Sequence, residues 1–254
     1  DQQRLFSNLP ADWSRVELGQ VADFINGRAF KPSDWVKTGV PIVRIQNLNG
    51  GETFNYFGGD IEARYAVDHG DLLFTWSGTR GTSFGPHFWS GPRAVLNQHI
   101  FNVRNLRGVE QRYLYYALEL ITVAIEKRAH GGTGIVHITK GQLEKFQIPK
   151  PTVQEQRKIA SILSAVDDAI EATQSVIDQL QAVKKAVMAE LLTRGLPGRH
   201  TRFKMTEIGE VPEGWTVVRA GDLCSTITKG ATPAAQTRDA GEVPFLKVYN
   251  ITKH

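Results

Sequence analysis

Residues 154–194 contain neither proline nor glycine, and aliphatic side chains recur along this stretch at alternating intervals of four and three residues. This heptad pattern continues for more than four repeats and predicts a coiled-coil seam on one long α-helix. At 1.5 Å per residue, roughly 40 residues form a rod of about 60 Å, which needs a partner helix in this chain or another. The alternative is an amphipathic helix that packs on its own domain. The predicted seam consists of Ile159, Leu163, Val166, Ile170, Ile177, Leu180, Val187 and Leu191, with Thr173 and Lys184 at the two remaining positions.

Proline and glycine residues mark both ends of this predicted helix. Pro149 and Pro151 cannot lie within a continuous helix, so the helix starts after them. Thr152 is a suitable N-cap, and Glu155 three residues later completes the pattern of a capping box. At the other end, the Gly-Leu-Pro-Gly segment at residues 195–198 stops the helix.

The chain also contains an internal repeat, which aligns Trp13 with Trp215 at an offset of 202 residues. Segments of similar sequence follow one another in the same order in both copies, and chance does not explain such a series. We therefore expect one complete unit of about 200 residues, followed by roughly the first 40 residues of a second unit. The sequence is then an incomplete two-unit protein, or a single unit with a long overhang. The matched segments are 9–19 with 211–221, 21–27 with 223–230, and 39–45 with 242–248.

Residues 9–150 have a different character, because short β-rich runs alternate there with glycine- and proline-containing turns. One helix is predicted at residues 110–128, with Leu114, Leu118, Ile121 and Ile125 on one face. The predicted fold class is therefore α+β. It comprises a β-rich domain at residues 1–150, a long coiled-coil helix at 151–194, and a linker with the start of a second β-rich domain at 195–254.

Composition excludes few functions. With 30 basic and 26 acidic residues the formal net charge is +4, which permits binding to nucleic acid but does not establish it. The single cysteine, Cys224, excludes an internal disulfide framework and fits a reducing compartment, so we expect a cytoplasmic protein. The sequence has no apolar stretch of 18 residues and no secretory signal at its start, so we expect no membrane association.

Motifs for covalent chemistry are missing from the sequence. It has no phosphate-binding loop, no dinucleotide-binding fingerprint, no spacing of histidine and cysteine typical of a metal site, and no motif for amino-methyl transfer. Asp60, Glu62 and Arg64 superficially resemble a nuclease pattern, but solvated loop charges explain them better. We therefore expect no catalytic residue and no metal ligand, which argues against a nuclease or a methyltransferase.

The β-rich segment does carry basic and amide side chains between its turns and aromatic residues. Arginine and lysine can pair with guanine, asparagine and glutamine with adenine, and hydroxyl groups with phosphate. Together with a dimer-forming helix, these side chains suggest DNA-reading heads held at a fixed separation. The rival interpretation is an interaction scaffold with a coiled-coil stalk that does not bind DNA. The candidate DNA-binding residues are Arg28, Lys31, Gln46, Asn47, Thr79, Arg80 and His137.

At this point the sequence resembles the specificity subunit of type I restriction–modification systems. The most specific likeness is the junction from Ile148-Pro149-Lys150-Pro151 through Glu155-Gln156 into the long helix. The passage from Leu192 to Trp215 is similar to the family's entry into its second target-recognition domain. Weaker likenesses are Trp13, Leu18-Gly19, Gly27, Pro41 to Ile45, Gly70 to Phe74, and Asn97-Gln98-His99.

The resemblance implies two target-recognition domains, each followed by a long helix, with the two helices packed antiparallel as a spacer between the halves of a bipartite DNA site. It implies a non-catalytic subunit that binds double-stranded DNA and no cofactor of its own. S-adenosylmethionine, ATP and Mg²⁺ are expected in the partners, namely the modification (methyltransferase) subunits and the restriction subunits. Glu155 and Gln156 are expected to cap and orient the helix rather than touch DNA.

The sequence departs from the family pattern by ending early in the second recognition domain. By the resemblance, most of that domain and the whole second helix are absent, which puts reading of both half-sites by one chain in doubt. We expect such a chain to form a homodimer through residues 159–191 and to read two copies of one half-site.

Overall fold

A computed structural model describes residues 6–79, 81–106, 108–131, 135–227 and 229 of the chain. It divides into two compact units, Asp1–Ser175 and Val176–His254. The division of the chain by function at residues 150 and 194 stays a prediction. In the described ranges, no helix is both long enough and apolar enough to cross a lipid bilayer.

The first unit is built mainly of short strands, as the turn-rich sequence predicts. The strands are β1 (Ser14–Glu17), β2 (Ala22–Asn26), β3 (Trp35–Val36), β4 (Val40–Val43), β5 (Asn55–Phe57), β6 (Ala66–Val67), β7 (Leu72–Thr75), β8 (Ser77–Gly78), β9 (Gly85–Phe88), β10 (Ala94–Leu96), β11 (Ile100–Asn105), β12 (His130–Gly131), β13 (Val136–His137) and β14 (Gln147–Lys150). A five-stranded sheet has the order β3-β5-β4-β10-β6, and a four-stranded sheet has the order β2-β11-β7-β9. Two smaller sheets pair β1 with β14 and join β12, β13 and β8.

Five helices begin in the described part of the first unit. Three of them are single turns, and Pro32–Asp34 forms a short 3₁₀ turn before β3. The helices are α1 (Leu18–Val21), α2 (Ile45–Leu48), α3 (Gln111–Arg128), α4 (Lys140–Leu143) and α5 (Val153–Arg194).

The main hydrophobic core lies between the four-stranded sheet and α3. Phe24 on β2 pairs with Val103 on β11, and Phe74 on β7 pairs with Phe101 on β11, so large side chains fill one face of the sheet. The face of α3 that covers them is the predicted one, since Leu114, Leu118, Ile121 and Ile125 are fully buried. Glu110 caps α3 by accepting a hydrogen bond from the backbone N–H of Tyr113 (2.6 Å).

Gln156 fixes the start of the long helix α5 to the rest of the first unit. Its side chain is fully buried, and its Oε1 accepts from the backbone N–H of Glu110 at 2.8 Å. Its Nε2 donates to the carbonyl oxygens of Gly108 (3.2 Å) and Pro151 (2.9 Å). One side chain therefore joins the segment before α3, the proline junction after β14 and the first turn of α5.

Further contacts hold the first part of α5 against α3. The hydroxyl of Tyr116 donates to Asp167 Oδ2 at 2.6 Å, and Arg112 Nη1 donates to Ser164 Oγ at 3.2 Å. Ala160 is buried in the main core, and Ile159 packs against it. The direction of α5 is thus fixed from Gln156 to Asp167, about three helical turns.

Beyond these contacts the predicted seam is uncovered. The long helix runs over 42 residues, which confirms the helix predicted from the periodicity. However, its seam residues from Leu163 to Leu191 have exposed fractions between 36% and 62%. If the whole helix packed on its own domain, these side chains would be buried. Among the described aliphatic residues of the seam, only Ile159 packs against the core of the first unit.

The second unit contains the end of α5, a hairpin and a short helix. Arg194 Nη2 donates to Glu210 Oε2 at 2.9 Å, which ties the last turn of α5 to the hairpin. The rings of His200 and Trp215 lie edge to face, with centroids 5.8 Å apart. The elements are β15 (Phe203–Thr206), β16 (Gly209–Pro212) and α6 (Ala220–Leu223).

The internal repeat is visible in the backbone of both units. The N–H of Trp13 donates to Pro10 O at 3.0 Å, and the N–H of Trp215 donates to Pro212 O at 2.9 Å. A single helical turn follows each tryptophan after five residues, as α1 and α6, 202 residues apart. The repeat is therefore confirmed over these residues. The rest of the predicted second domain, residues 230–254, lies outside the described part of the chain.

We predict that Gln156→Ala lowers the free energy of unfolding of the first unit by about 2–4 kcal/mol, because it removes three hydrogen bonds of a fully buried side chain and leaves the buried carbonyl of Pro151 without its partner. Urea unfolding followed by circular dichroism measures the change. Gln154→Ala is the matched control, since Gln154 is exposed in the same helical turn. Equal stability of the two variants would contradict the anchoring role of Gln156.

Candidate nucleic-acid interface

A close approach of two backbones forms the centre of the candidate surface. A Cβ atom on Gly27 would lie only 2.1 Å from the carbonyl oxygen of Asn97, so a larger residue cannot replace Gly27 without a shift of the chain. The contact lets the N–H of Arg28 donate to Leu96 O at 2.8 Å, and the N–H of Asn97 donate to Val43 O at 3.0 Å. The end of β2, the end of β4 and the turn after β10 therefore meet at one place.

Arg44 extends from the end of β4 at this place. Strand β4 ends at Val43 because the Asn47 side chain accepts from the backbone N–H of Arg44 (3.0 Å) and starts α2. The Arg44 guanidinium donates from Nη1 to Asn55 Oδ1 at 3.1 Å. It also lies over the ring of Trp35, 5.9 Å from the ring centroid.

Arg28 has a similar environment of uncharged groups. Its guanidinium lies 4.8 Å from the ring centroid of Phe57 and 5.3 Å from that of Phe30. In contrast, Arg64 pairs with Glu62 at 3.0 Å and Arg93 with Asp68 at 3.2 Å. Within the described ranges, neither Arg28 nor Arg44 belongs to such an ion pair, so both charges are available to an anionic partner.

Trp76 and His99 continue the surface from Arg44. Trp76 Nε1 donates to Asn26 Oδ1 at 3.1 Å, and the Trp76 ring lies 5.5 Å from that of His99. Burial, together with the nearby charge of Arg44, lowers the pKa of His99. His99 is therefore neutral at neutral pH. Its Nε2 lies 3.2 Å from Gln98 Nε2, and its Nδ1 is buried, so the ring adds a neutral polar surface beside the arginine.

We call this surface the arginine–aromatic strip. Its members share either a contact with an aromatic ring or a hydrogen bond to a residue that has one. The strip consists of Arg28, Phe30, Trp35, Arg44, Asn55, Phe57, Trp76 and His99.

A cleft of about 670 Å³ lies beside Trp76. His137 on β13 is exposed on its wall, and Tyr65 and Phe101 contribute aromatic surface. Lys140 also lines the cleft, but its ammonium group pairs with Asp23 at 3.1 Å and with Glu144 at 3.6 Å. The cleft is thus a mixed polar and aromatic extension of the strip.

The structure brings some of the predicted DNA-binding residues together. Arg28 belongs to the strip, and His137 lines the adjoining cleft. Lys31 and Gln46 are both exposed. Lys31 follows Phe30 of the strip directly, and Gln46 lies two residues after Arg44. Thr79 is exposed in the loop after β8, the strand that pairs with the His137 strand. Arg80 lies outside the described residues. The DNA-binding role of these residues stays a prediction.

Asn47 has a structural task that its sequence context did not reveal. Both hydrogens of its amide are donated to backbone carbonyls, those of Gly51 (3.1 Å) and Thr53 (2.9 Å). With its Oδ1 bonded to the Arg44 N–H, Asn47 has little capacity left for an adenine. It holds the loop between α2 and β5, and so positions Arg44.

The sequence prediction omitted five members of the strip and cleft that the structure places at the centre. Arg44, Trp76 and His99 stand in segments already noted for their basic and amide residues, but nothing local ranks them above their neighbours. Trp35 and Asn55 belong to the strip because both contact Arg44. The hydrogen bond between Arg44 and Asn55 joins residues 11 positions apart, and the one between Trp76 and Asn26 joins residues 50 positions apart. Pairing across strands supplies this information, and no sequence motif encodes it.

The acidic residues that resemble a nuclease pattern do not gather. Glu62 pairs with Arg64, and both side chains are more than half exposed, which confirms the interpretation as solvated loop charges. In the part of the chain that the structure describes, no three histidine, cysteine, aspartate or glutamate side chains are grouped as a metal ion requires.

The arrangement of a β-rich domain and a long helix recurs in a solved structure, the HsdS subunit from Thermoanaerobacter tengcongensis. The two share a TM-score of 0.52 and 21% identity, over 72% of this chain and 45% of that one. The likeness identifies the fold as that of a type I specificity subunit.

The sequence comparisons identify the family. The family model described as type I restriction modification DNA specificity domain matches residues 10–182, so the chain belongs to this family. The chain is 30% identical over 220 residues to the type I restriction enzyme MjaVIII specificity subunit of Methanocaldococcus jannaschii, covering 85% of this chain and 50% of the relative. It is 31% identical over 259 residues to the putative MjaX specificity subunit of the same organism, covering 94% of this chain and 60% of the relative. The chain thus spans little more than half the length of these relatives.

Proposed function

We propose that this chain recognises double-stranded DNA as the specificity component of a type I restriction–modification complex. The observation that carries the proposal is the arginine–aromatic strip on a domain of the type I specificity family. Arginine side chains free of carboxylate partners can contact phosphate groups and base edges, which hold a protein on the duplex and read its sequence. In this proposal, Arg28, Arg44 and His137 lie at the duplex, while Asn47 positions the Arg44 loop.

The uncovered seam of α5 supports a role for the helix as a spacer. A row of half-exposed aliphatic side chains on one face of a helix is the usual contact surface of a second helix. Thr173 fits such a contact, because its hydroxyl already donates to Ala169 O at 2.7 Å. We propose that the helix of a second copy covers this seam in an antiparallel pair. The two recognition domains then lie at opposite ends of helices about 60 Å long.

A second apolar stripe on α5 supports assembly with further subunits. Ile162, Val176 and Val183 are spaced by multiples of seven residues and are 66%, 54% and 57% exposed. They lie one position before the seam residues Leu163, Ile177 and Lys184, so they flank the seam at the edge of a helix pair, where a further subunit can reach them. We propose that this stripe contacts the modification subunits, through which the restriction subunits join the complex.

In this proposal the chain performs no covalent chemistry. The modification and restriction subunits of the type I complex bind S-adenosylmethionine and the ATP and Mg²⁺ needed for restriction. We propose that the chain is located in the cytoplasm, where it binds DNA. Its role there is to position the partner subunits on a specific DNA site.

We predict that the chain binds duplex DNA mainly through electrostatic contacts, with an affinity that falls steeply as the salt concentration rises, because bound cations are released from the phosphates. Arg28→Ala should weaken binding by about 1–3 kcal/mol if Arg28 reads a guanine, and by less if it contacts only phosphate. Fluorescence anisotropy with a labelled duplex, in the presence of the modification subunit, measures both effects.

Arg93→Ala is the matched control for this prediction. The side chain of Arg93 is 60% exposed, pairs with Asp68 at 3.2 Å and lies outside the strip. The control should bind DNA like the unmodified chain. Negligible binding of the unmodified chain to every duplex at low salt would refute the DNA role and favour the interaction scaffold.

We predict that the unmodified chain is a dimer and that Ile170→Asp shifts it towards monomer or aggregate. The substitution places a carboxylate within the paired seam, where burial of an unpaired charge is costly. Lys184 on the same seam should keep the dimer only moderately stable. Sedimentation velocity over a range of concentrations measures the change.

Ser161→Asp adds the same charge to an exposed position of α5 outside the seam and is the control, expected to stay dimeric. If the unmodified chain were monomeric and soluble at high concentration, the proposed helix pairing would be wrong.

A further inference from the structure

Arg44 is held in one orientation by two uncharged groups. Its Nη1 donates to Asn55 Oδ1 at 3.1 Å, and its guanidinium carbon lies 5.9 Å from the centroid of the Trp35 ring. Trp35 itself is 39% exposed, so this part of the strip faces the solvent. The ring and the amide restrict the plane and the direction of the guanidinium before any ligand binds.

The hydrogen bond to Asn55 leaves most of the donors of Arg44 for a ligand. An arginine has five N–H groups, and Asn55 takes one of them. Arg44 forms no ion pair in the described ranges, whereas Arg64 and Arg93 both pair with carboxylates. Asn55 and Trp35 thus orient the side chain without neutralising its charge.

Reading a base requires an oriented fork, whereas binding a phosphate does not. A phosphate also pairs with an arginine fork, but a lysine that acts as a point charge is sufficient for it. Guanine presents O6 and N7 side by side in the plane of the base, and two parallel N–H groups of one arginine match them. A guanidinium fixed in its plane loses less conformational freedom when it forms this pair.

The neighbours of Arg44 are compatible with a base edge. Burial and the charge of Arg44 lower the pKa of His99, so this ring is neutral at neutral pH and adds no second positive charge beside Arg44. The Asn55 side chain is half buried at the start of β5 and keeps its amide group beside Arg44. The site therefore combines one fixed cation with neutral polar groups.

We propose that Arg44 is a specificity-determining residue that reads a guanine in the major groove, and that Asn55 and Trp35 are its positioning residues. The inference rests on the proposed function, because it requires duplex DNA on the arginine–aromatic strip. It adds a property of the target: the half-site read by this domain contains a G·C pair at one fixed position.

The test is selection from a pool of linear duplexes with a randomised central segment, bound by the full chain together with the modification subunit. Sequencing of the bound fraction gives the preference at each position. For the unmodified chain we expect one position that is always guanine. Arg44→Lys keeps the charge but loses the fork, and it should reduce the preference for guanine at that position by about 5- to 150-fold while the other positions keep theirs.

Two variants separate reading from folding. Asn55→Ala should weaken the preference at the same position by a smaller factor, because the arginine is present but less oriented. Arg112→Lys is the matched control, since Arg112 also lies over a ring (Phe88, 5.6 Å) and donates to a side chain (Ser164, 3.2 Å), but on α3. It should leave every position unchanged. Thermal unfolding checks that all variants fold.

The outcomes distinguish the inference from the proposed function. If the unmodified chain selects a motif and Arg44→Lys selects the same motif with the same preferences, Arg44 does not read a base. A uniform loss of affinity across all sequences would make Arg44 a phosphate contact and would also overturn the inference. If the unmodified chain enriches no sequence and binds no duplex at low salt, the proposed function itself is wrong.

Discussion

The buried side chain of Gln156 is the interaction on which the rest of the structure depends. Two segments that are distant in sequence converge on its amide: the segment from Gly108 to Glu110 that leads into α3, and the proline junction at Pro151. A buried amide must satisfy its hydrogen bonds, so these segments hold one relative position. Because Gln156 lies in the first turns of α5, the same bonds set the direction in which the long helix leaves the β-rich domain.

This constraint couples two surfaces that would otherwise be independent. The arginine–aromatic strip lies on the β-rich domain, where the sheets and the close approach at Gly27 build it. The apolar seam lies on α5, and its exposed side chains are the surface that the proposed helix pair would bury. A spacer is useful only if it holds its recognition domain rigidly, and the hydrogen bond between Tyr116 and Asp167 extends the fixed part of the helix beyond Gln156. In the proposed function, the anchored start of α5 is what would let the length of the helix set the separation between DNA contacts.

Much of the fold follows from local sequence patterns, whereas the candidate surface does not. The periodicity of residues 154–194 and the apolar face around Leu118 predict both long helices, because a helix brings together residues three and four positions apart. The surface depends on pairs such as Arg44 with Asn55, which only strand pairing brings into contact. For the same reason Asn47 was predicted to read DNA although its amide closes its own loop, and the sequence pattern did not single out Trp76.

The central claim is that duplex DNA lies on the arginine–aromatic strip. Hydrogen–deuterium exchange of the full chain, with and without a bound duplex at low salt, tests it most directly, because it locates the contact without any substitution. The account predicts slower exchange in the segments that carry Arg28, Arg44, Asn55 and His99, and unchanged exchange around Arg93 and Asp68. Protection confined to the region of Arg93, or to the exposed seam of α5, would contradict it.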